Sequence, residues 1–202
     1  MIAAIFHGFI LAVGLILPLG VQNVFVFNQG TLQPKYVKVL PVIITASLCD
    51  TLLISLAVLG VSVVVLTYYW LKTVLLLIGI CFLLYMGIVT WRSKPALHQD
   101  KAVSFPPKKQ IMFAVSVSLL NPHAILDTIG VIGTNSLQYA GYEKVAFAVA
   151  CMLVSWIWFA GLAMVGRLSG ELDKSGRFLF VLNRVSALVM WGTAIYIGTT
   201  LI

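Results

Sequence analysis

The sequence predicts an all-helical membrane protein: six transmembrane helices forming two inverted three-helix repeats, with helices one and four broken at mid-span prolines. Three observations carry that prediction. Composition is 61% hydrophobic and 9% charged, with a mean hydropathy of +1.06 over 202 residues, more apolar surface than a soluble domain of this size can hide. Apolar stretches recur along the chain, each long enough to cross a hydrocarbon core of about 30 Å. A polar, proline-bearing segment from Arg92 to Gln110 separates two sets of three such stretches.

The predicted spans cover about 4–27, 39–66, 73–91, 110–134, 145–166 and 178–200. The alternating pattern of a membrane barrel is missing, which leaves helices as the spanning elements. Met1 to His7 lacks the basic segment of a cleavable signal, and no Ala-x-Ala site follows, so the first apolar run is kept as a span. Cys49, Cys81 and Cys151 all fall inside spans without a Cys-x-x-Cys pair, so no disulfide framework, metal site or cofactor is implied. With residues 92–109 as a linker, residues 1–91 form the first three-helix repeat and 110–202 the second. An odd number of spans per repeat inverts the second relative to the first, as in many secondary transporters.

Charge sets the orientation. Lys35, Lys38, Arg92, Lys94, Lys101, Lys108, Lys109, Arg167, Lys174 and Arg177 fall on one side of the predicted membrane, and only Lys72 and Lys144 on the other. That bias puts the loops after spans one, three and five in the cytoplasm and both termini outside. It also explains the +7 net charge by loops beside anionic lipid, without a nucleic-acid partner. Arg184, just inside the last span, has two readings: snorkelling to the cytoplasm or pairing with an aspartate.

Asp50 and Asp127 are the acids inside the spans, with no Lys or Arg within several residues of either. An acid at that depth costs roughly 2.5–3.5 kcal/mol on insertion scales, so it implies a partner, an aqueous cavity or a cationic guest: a proton, a metal ion or a positively charged solute. Pro18 and Pro122 interrupt the first and fourth spans, each removing a backbone N–H opposite a carbonyl, that of Gly14 or Ser118. Asn23 follows Pro18 by five residues, and Asp127 follows Pro122 by five. Broken helices at corresponding positions of two halves point to a transporter site. Each group also has a plain structural reading: protonated acids bonded to a neighbouring helix, prolines as packing kinks, and His123 as a packing histidine rather than a proton relay.

Leu17-Pro18-Leu19-Gly20-Val21-Gln22-Asn23-Val24-Phe25-Val26 with Asn28-Gln29-Gly30, and Leu120-Asn121-Pro122-His123-Ala124-Ile125-Leu126-Asp127-Thr128, resemble the two signatures of the LysE/ArgO family of basic-amino-acid exporters. Ser47 to Asp50, Ser155 to Ala163 and Asn183 to Trp191 are similar too, so the likeness covers the whole chain. One departure stands out: the family usually carries Gly-Pro-Gln-Asn where this chain reads Gly20-Val21-Gln22-Asn23. The resemblance implies proton-coupled export of lysine or arginine across a bacterial cytoplasmic membrane. On the residues themselves, Asp50 and Asp127 suit balancing a guanidinium or ammonium or carrying a proton. Gln22, Asn23, Asn121 and the half-helix N-termini suit the zwitterionic end.

Two other classes are open to the same residues. An exporter of neutral amino acids would use the same fold with a less acidic pocket. An intramembrane aspartyl protease also needs two aspartates on separate helices, but its usual Gly-x-Gly-Asp setting is absent around Asp50 and Asp127. Gly8-x-x-x-Ala12 suits a close helix contact, within one chain or between two.

Overall fold

Proline and glycine punctuation sets where these helices start and stop. The computed structural model describes residues 1–17, 20–61, 69–92, 105–172 and 177–199, and all regular structure among them is helical. Helix α1 spans Ile2–Ile16 and α2 Val21–Leu32, followed by a 3-10 turn at Tyr36–Val39. Helix α3, Leu40–Leu56, runs into a π-helical turn at Ala57–Val61. Next come α4 at Tyr69–Arg92 and α5 at Pro107–Leu119. Helix α6, Pro122–Asp127, continues through a π-helical stretch at Thr128–Gly133 and a last turn at Thr134–Ser136. The chain closes with α7, Gly141–Leu172, and α8, Arg177–Thr199.

Local chemistry accounts for several of these boundaries. Helix α5 starts at Pro107 behind an extended Pro106 (φ −62°, ψ 155°), since proline's fixed φ and missing N–H suit a first helical position. Helix α3 likewise carries Pro41 in its first turn. At its far end Gly60 takes φ +105°, a conformation open to a residue without Cβ.

The described parts of the predicted spans fall on α1 plus α2, α3, α4, α5 plus α6, α7 and α8, while residues 62–66 of the second span, residue 200 of the last and most of the predicted 92–109 linker lie outside the described residues. Among the described residues, Tyr36–Gly60 and Gly141–Gly170 are each long and apolar enough to cross a membrane alone. Helices α1 and α2 qualify as a pair and meet at 79°. Large apolar side chains such as Leu48, Leu52, Leu153, Ile157, Leu188 and Ile195 point outward, as expected of a surface solvated by lipid.

Helix α7 is the centre of the assembly, packing against α1, α2 and α3; α5 packs on α3, and α4 on α8. Without a hydrophobic drive between helices in lipid, close backbone approach sets such contacts. Ala4, Gly8 and Ala12 of α1 are buried, and a Cβ at Gly8 would stand 2.6 Å from the Phe147 carbonyl oxygen of α7. The Gly8-x-x-x-Ala12 pattern therefore serves packing within this chain. Farther along α7, a Cβ at Gly30 would collide with the Ala163 carbonyl, and one at Gly166 with the Phe27 carbonyl. Thr31 Oγ1 adds a hydrogen bond to the Gly166 carbonyl oxygen at 2.9 Å.

Arg184 pairs with neither aspartate. Its guanidinium lies 3.7 Å from the centroid of the Trp91 ring and 4.9 Å from that of Phe180. Trp91 in turn stacks against Trp191 at 5.4 Å. The cation–π contact gives the partly exposed charge a partner and ties α8 to α4.

Candidate functional site

Both predicted breaks leave a helix end inside the bundle, and the chain's own side chains meet those ends. Helix α1 stops at Ile16, whose carbonyl oxygen accepts a 2.7 Å hydrogen bond from Asn23 Nδ2. Asn23 Oδ1 accepts from Trp158 Nε1 of α7 at 3.2 Å. Asn23 is thus bound into the break, bridging the end of α1 to α7. Extended Gly20 (φ −78°, ψ 175°) precedes the first residue of α2, Val21. At the second break α5 ends at Leu119, and Pro122 is the first residue of α6 rather than an interior one. The residue of the first break that matches Pro122 by helix start is therefore Val21. Pro18 itself lies outside the described residues, as do the side chains of Pro122 and His123.

Between the breaks lies a cavity of about 140 Å³. Gly20, Gln22 and Asn23 from α2, Asp50 from α3, Asn121 and Asp127 around α6 all line it, so the structure gathers these sequence-derived candidates in one place. Ser155, Cys151, Thr128, Phe159 and Met190 complete the wall with apolar residues such as Ile54, Leu83 and Ile132. Among the described residues, no Lys or Arg lines it.

Asp50 is the best-defined group. Gln22 Nε2 donates to its Oδ1 at 3.0 Å, and Ser155 of α7 lines the same cavity. Helices α2 and α3 therefore meet on this acid through a neutral donor. Beside it, Trp156 Nε1 donates to Thr51 Oγ1 at 3.2 Å. The stretch from Trp156 to Ala160 supplies two indole donors to this region, and Phe159 faces the cavity. Tryptophans in an apolar helix carry no sequence mark of such bonds. The nearest signal was Ser155, a hydroxyl in the middle of a hydrophobic span.

Among the described residues no three His, Cys, Asp or Glu side chains gather where a metal ion could be held. The arrangement suits reversible binding of a small polar solute: acceptor carboxylates, amide donors and an apolar floor.

Comparison with known proteins agrees with a transport site. The LysE type translocator family matches residues 13–200. The chain belongs to that family. It is similar to a protein of Bacillus subtilis (strain 168) named "Putative amino-acid transporter YisU", 59% identical over 98% of this chain and 90% of that protein. It is also similar to the arginine exporter protein ArgO of Salmonella typhimurium and of Salmonella enteritidis, each 32% identical over 95% of this chain and 91% of the relative. No solved structure matches. As a LysE-type translocator the chain is a multi-pass membrane transporter for amino acids and not an enzyme.

Proposed function

We propose that this translocator exports lysine or arginine across the bacterial cytoplasmic membrane in exchange for protons. The observation that carries the reading is that Asp50 and Asp127, one from each half of the chain, line a single cavity that no described Lys or Arg lines. Paired carboxylates balance a guanidinium or ammonium at low dielectric, and take up a proton when the cation leaves. Gln22, Asn121 and the N-terminus of α2 serve the substrate's carboxylate and ammonium. Asn23 holds the break that shapes the cavity, and His123 relays the proton. The Salmonella relatives named arginine exporters support the cationic choice.

Two inverted three-helix repeats, 1–91 and 110–202 about a 92–109 linker, form the scaffold. The packing supports this plan, because the observed contacts exchange with one another when the halves are swapped. The broken pair α1 and α2 packs on α7, and α5 packs on α3; α3 meets α7, and α4 meets α8. The end of the bundle carrying Lys35, Lys38, Lys108, Lys109 and Arg167 faces the cytoplasm, and both termini lie outside.

Efflux of labelled arginine, lysine and leucine from proteoliposomes with an imposed pH gradient tests the reading. Arginine or lysine should leave fastest, and collapsing the gradient should slow them. Leucine leaving faster than both would replace it with export of neutral amino acids.

A further inference from the structure

The cavity lies between the two ends of the bundle. Its walls reach Ala12 on α1, Ile54 on α3 and Ile132 beyond α6, toward the end where His7 Nδ1 meets Tyr139 Oη at 2.8 Å. Toward the basic end they reach Leu83, Phe159 and Met190, and α3 runs on from Asp50 for about 16 Å, at 1.5 Å per residue, to the Tyr36–Val39 turn. What fills that stretch is unusual for a membrane-helix interior.

Gln22, Gln29 and Gln33 fall on one stripe of α2 and its C-terminal cap, and they are only 8%, 3% and 5% exposed. Beside Gln33, α5 contributes Gln110, and α3 carries Ser47, at 1% and 0% exposure. Among the described residues, Ser47 Oγ and Gln110 Oε1 have no hydrogen-bond partner. Buried side-chain oxygens normally have one, and a lone acceptor is costly in a low-dielectric interior. Both oxygens accept, and a primary ammonium or a guanidinium brings several donors.

Two layers close this seam. In the first, the Phe25 ring of α2 packs 4.3 Å from the Phe113 ring of α5, and Phe105 lies 6.2 Å from Phe25 and 6.3 Å from Phe113. In the second, Gln33 Nε2 and Gln110 Nε2 both donate to the Phe105 carbonyl oxygen, at 3.0 and 2.8 Å. Gln110 Nε2 also donates to the Lys38 carbonyl at 3.0 Å. These bonds join the loop after α2 to the start of α5, across the two halves of the chain. Helix α2 is held far more closely by α7 than by α3 or α5, so α2 can part from α5 without leaving α7.

We infer that the seam between α2 and the α3–α5 pair is the cytoplasmic access route to the cavity for a cationic amino acid, shut here by the Phe25–Phe105–Phe113 cluster and the Gln33–Gln110 bonds. Opening it unstacks the rings and frees the amides, and exposes Ser47 and Gln110 to the donors of the passing cation. The inference rests on the proposed orientation and substrate class.

The test uses the full chain with Cys49, Cys81 and Cys151 replaced. Phe25→Cys with Phe113→Cys is joined by a short, cleavable thiol linker in vesicles. Efflux should fall at least about tenfold on cross-linking and return on cleavage; full efflux with cross-linking complete overturns the route. In a second arm, an Ala124→Cys reporter on the cavity wall is exposed to a membrane-impermeant maleimide. In inside-out vesicles, Phe113→Ala with Gln110→Ala should raise labelling about tenfold, while labelling from the outer face does not rise. Unchanged labelling from the cytoplasmic face, or a rise only from the outer face, overturns it. The labelling arm does not depend on the substrate's identity: if the parent protein exports leucine and not arginine, the cationic reading is removed, while raised labelling from the cytoplasmic face still leaves the route standing.

Discussion

Gln22 on α2 donates its side-chain amide to Asp50 on α3 across 3.0 Å, so the residue that follows the first helix break by one turn is bound to the acid in the middle of the next span. The bond is charge-assisted when the acid is ionised, worth about 1.5–3 kcal/mol. Neither Gln22 nor Ser155, which lines the same cavity, brings a positive charge, so the Gln22 bond orients the carboxylate without neutralising it. A site of that kind receives its cation from elsewhere.

The charge of the two acids is therefore separable from their shape. Asp50→Asn and Asp127→Asn keep volume and remove charge. Each is expected to cut arginine and lysine efflux at least about tenfold, the loss of one charged contact, while inserting no worse than the parent. Glutamate at either position should keep part of the activity. Initial efflux rates normalised to membrane protein level decide it: parental rates in both Asn variants would leave the aspartates as structural groups.

Topology is tested from outside the site. Gln33, Lys38, Phe105 and Gln110 are bonded together at one end of the bundle, and His7 with Tyr139 at the other. Single cysteines at Lys108 and at Tyr142, both exposed, should react with impermeant maleimide from opposite faces of the membrane, Lys108→Cys from the cytoplasmic one. Reaction of Lys108→Cys in intact cells would reverse the orientation.

The spans were readable from sequence because membrane thickness fixes the length of an apolar run, and no tertiary knowledge is needed for that. Asp50 and Asp127 were readable for the same reason, since an acid inside such a run stands out by cost alone. Their meeting in one cavity was suggested only by the paired breaks. Trp158 escaped notice because its partner, Asn23, is more than a hundred residues away. The first break was read at Pro18, the visible helix breaker, whereas the new helix opens three residues later at Val21. A helix start without proline or a capping side chain leaves little trace in sequence.

Glycines of α7 that look alike in sequence differ in what surrounds them. A Cβ at Gly166 would meet the Phe27 carbonyl, a backbone atom that cannot move aside, whereas nothing lies within 4 Å of one at Gly161. Gly166→Ala should cost about 1–3 kcal/mol, the usual penalty of overpacking, and lower the melting temperature in detergent. Gly161→Ala should be neutral or stabilising by about 0.5–1 kcal/mol, because glycine weakens a helix interior. Equal melting temperatures for the two variants would mean that α2 and α7 are not in backbone contact.

Val21 stands where the family signature usually has proline, and the structure gives a reason why either residue fits. As the first residue of α2 its N–H has no carbonyl one turn back to bond; the first such bond in this helix runs from the Val24 N–H to the Gly20 carbonyl at 3.1 Å. Proline at that position gives up no helical hydrogen bond and brings the right φ. It also restricts the preceding residue to extended conformations, and Gly20 is already there at φ −78° and ψ 175°. Val21 is buried, at 2% exposure, but the two side chains are close in size. Val21→Pro should therefore fold, retain efflux, and gain about 0.4–1 kcal/mol by narrowing the unfolded ensemble. The measurement is a melting curve beside an efflux assay. The same change at Val24, whose N–H is bonded, should be destabilising by about 3 kcal/mol or more, and a Val21→Pro variant that behaved like Val24→Pro would place the start of α2 elsewhere.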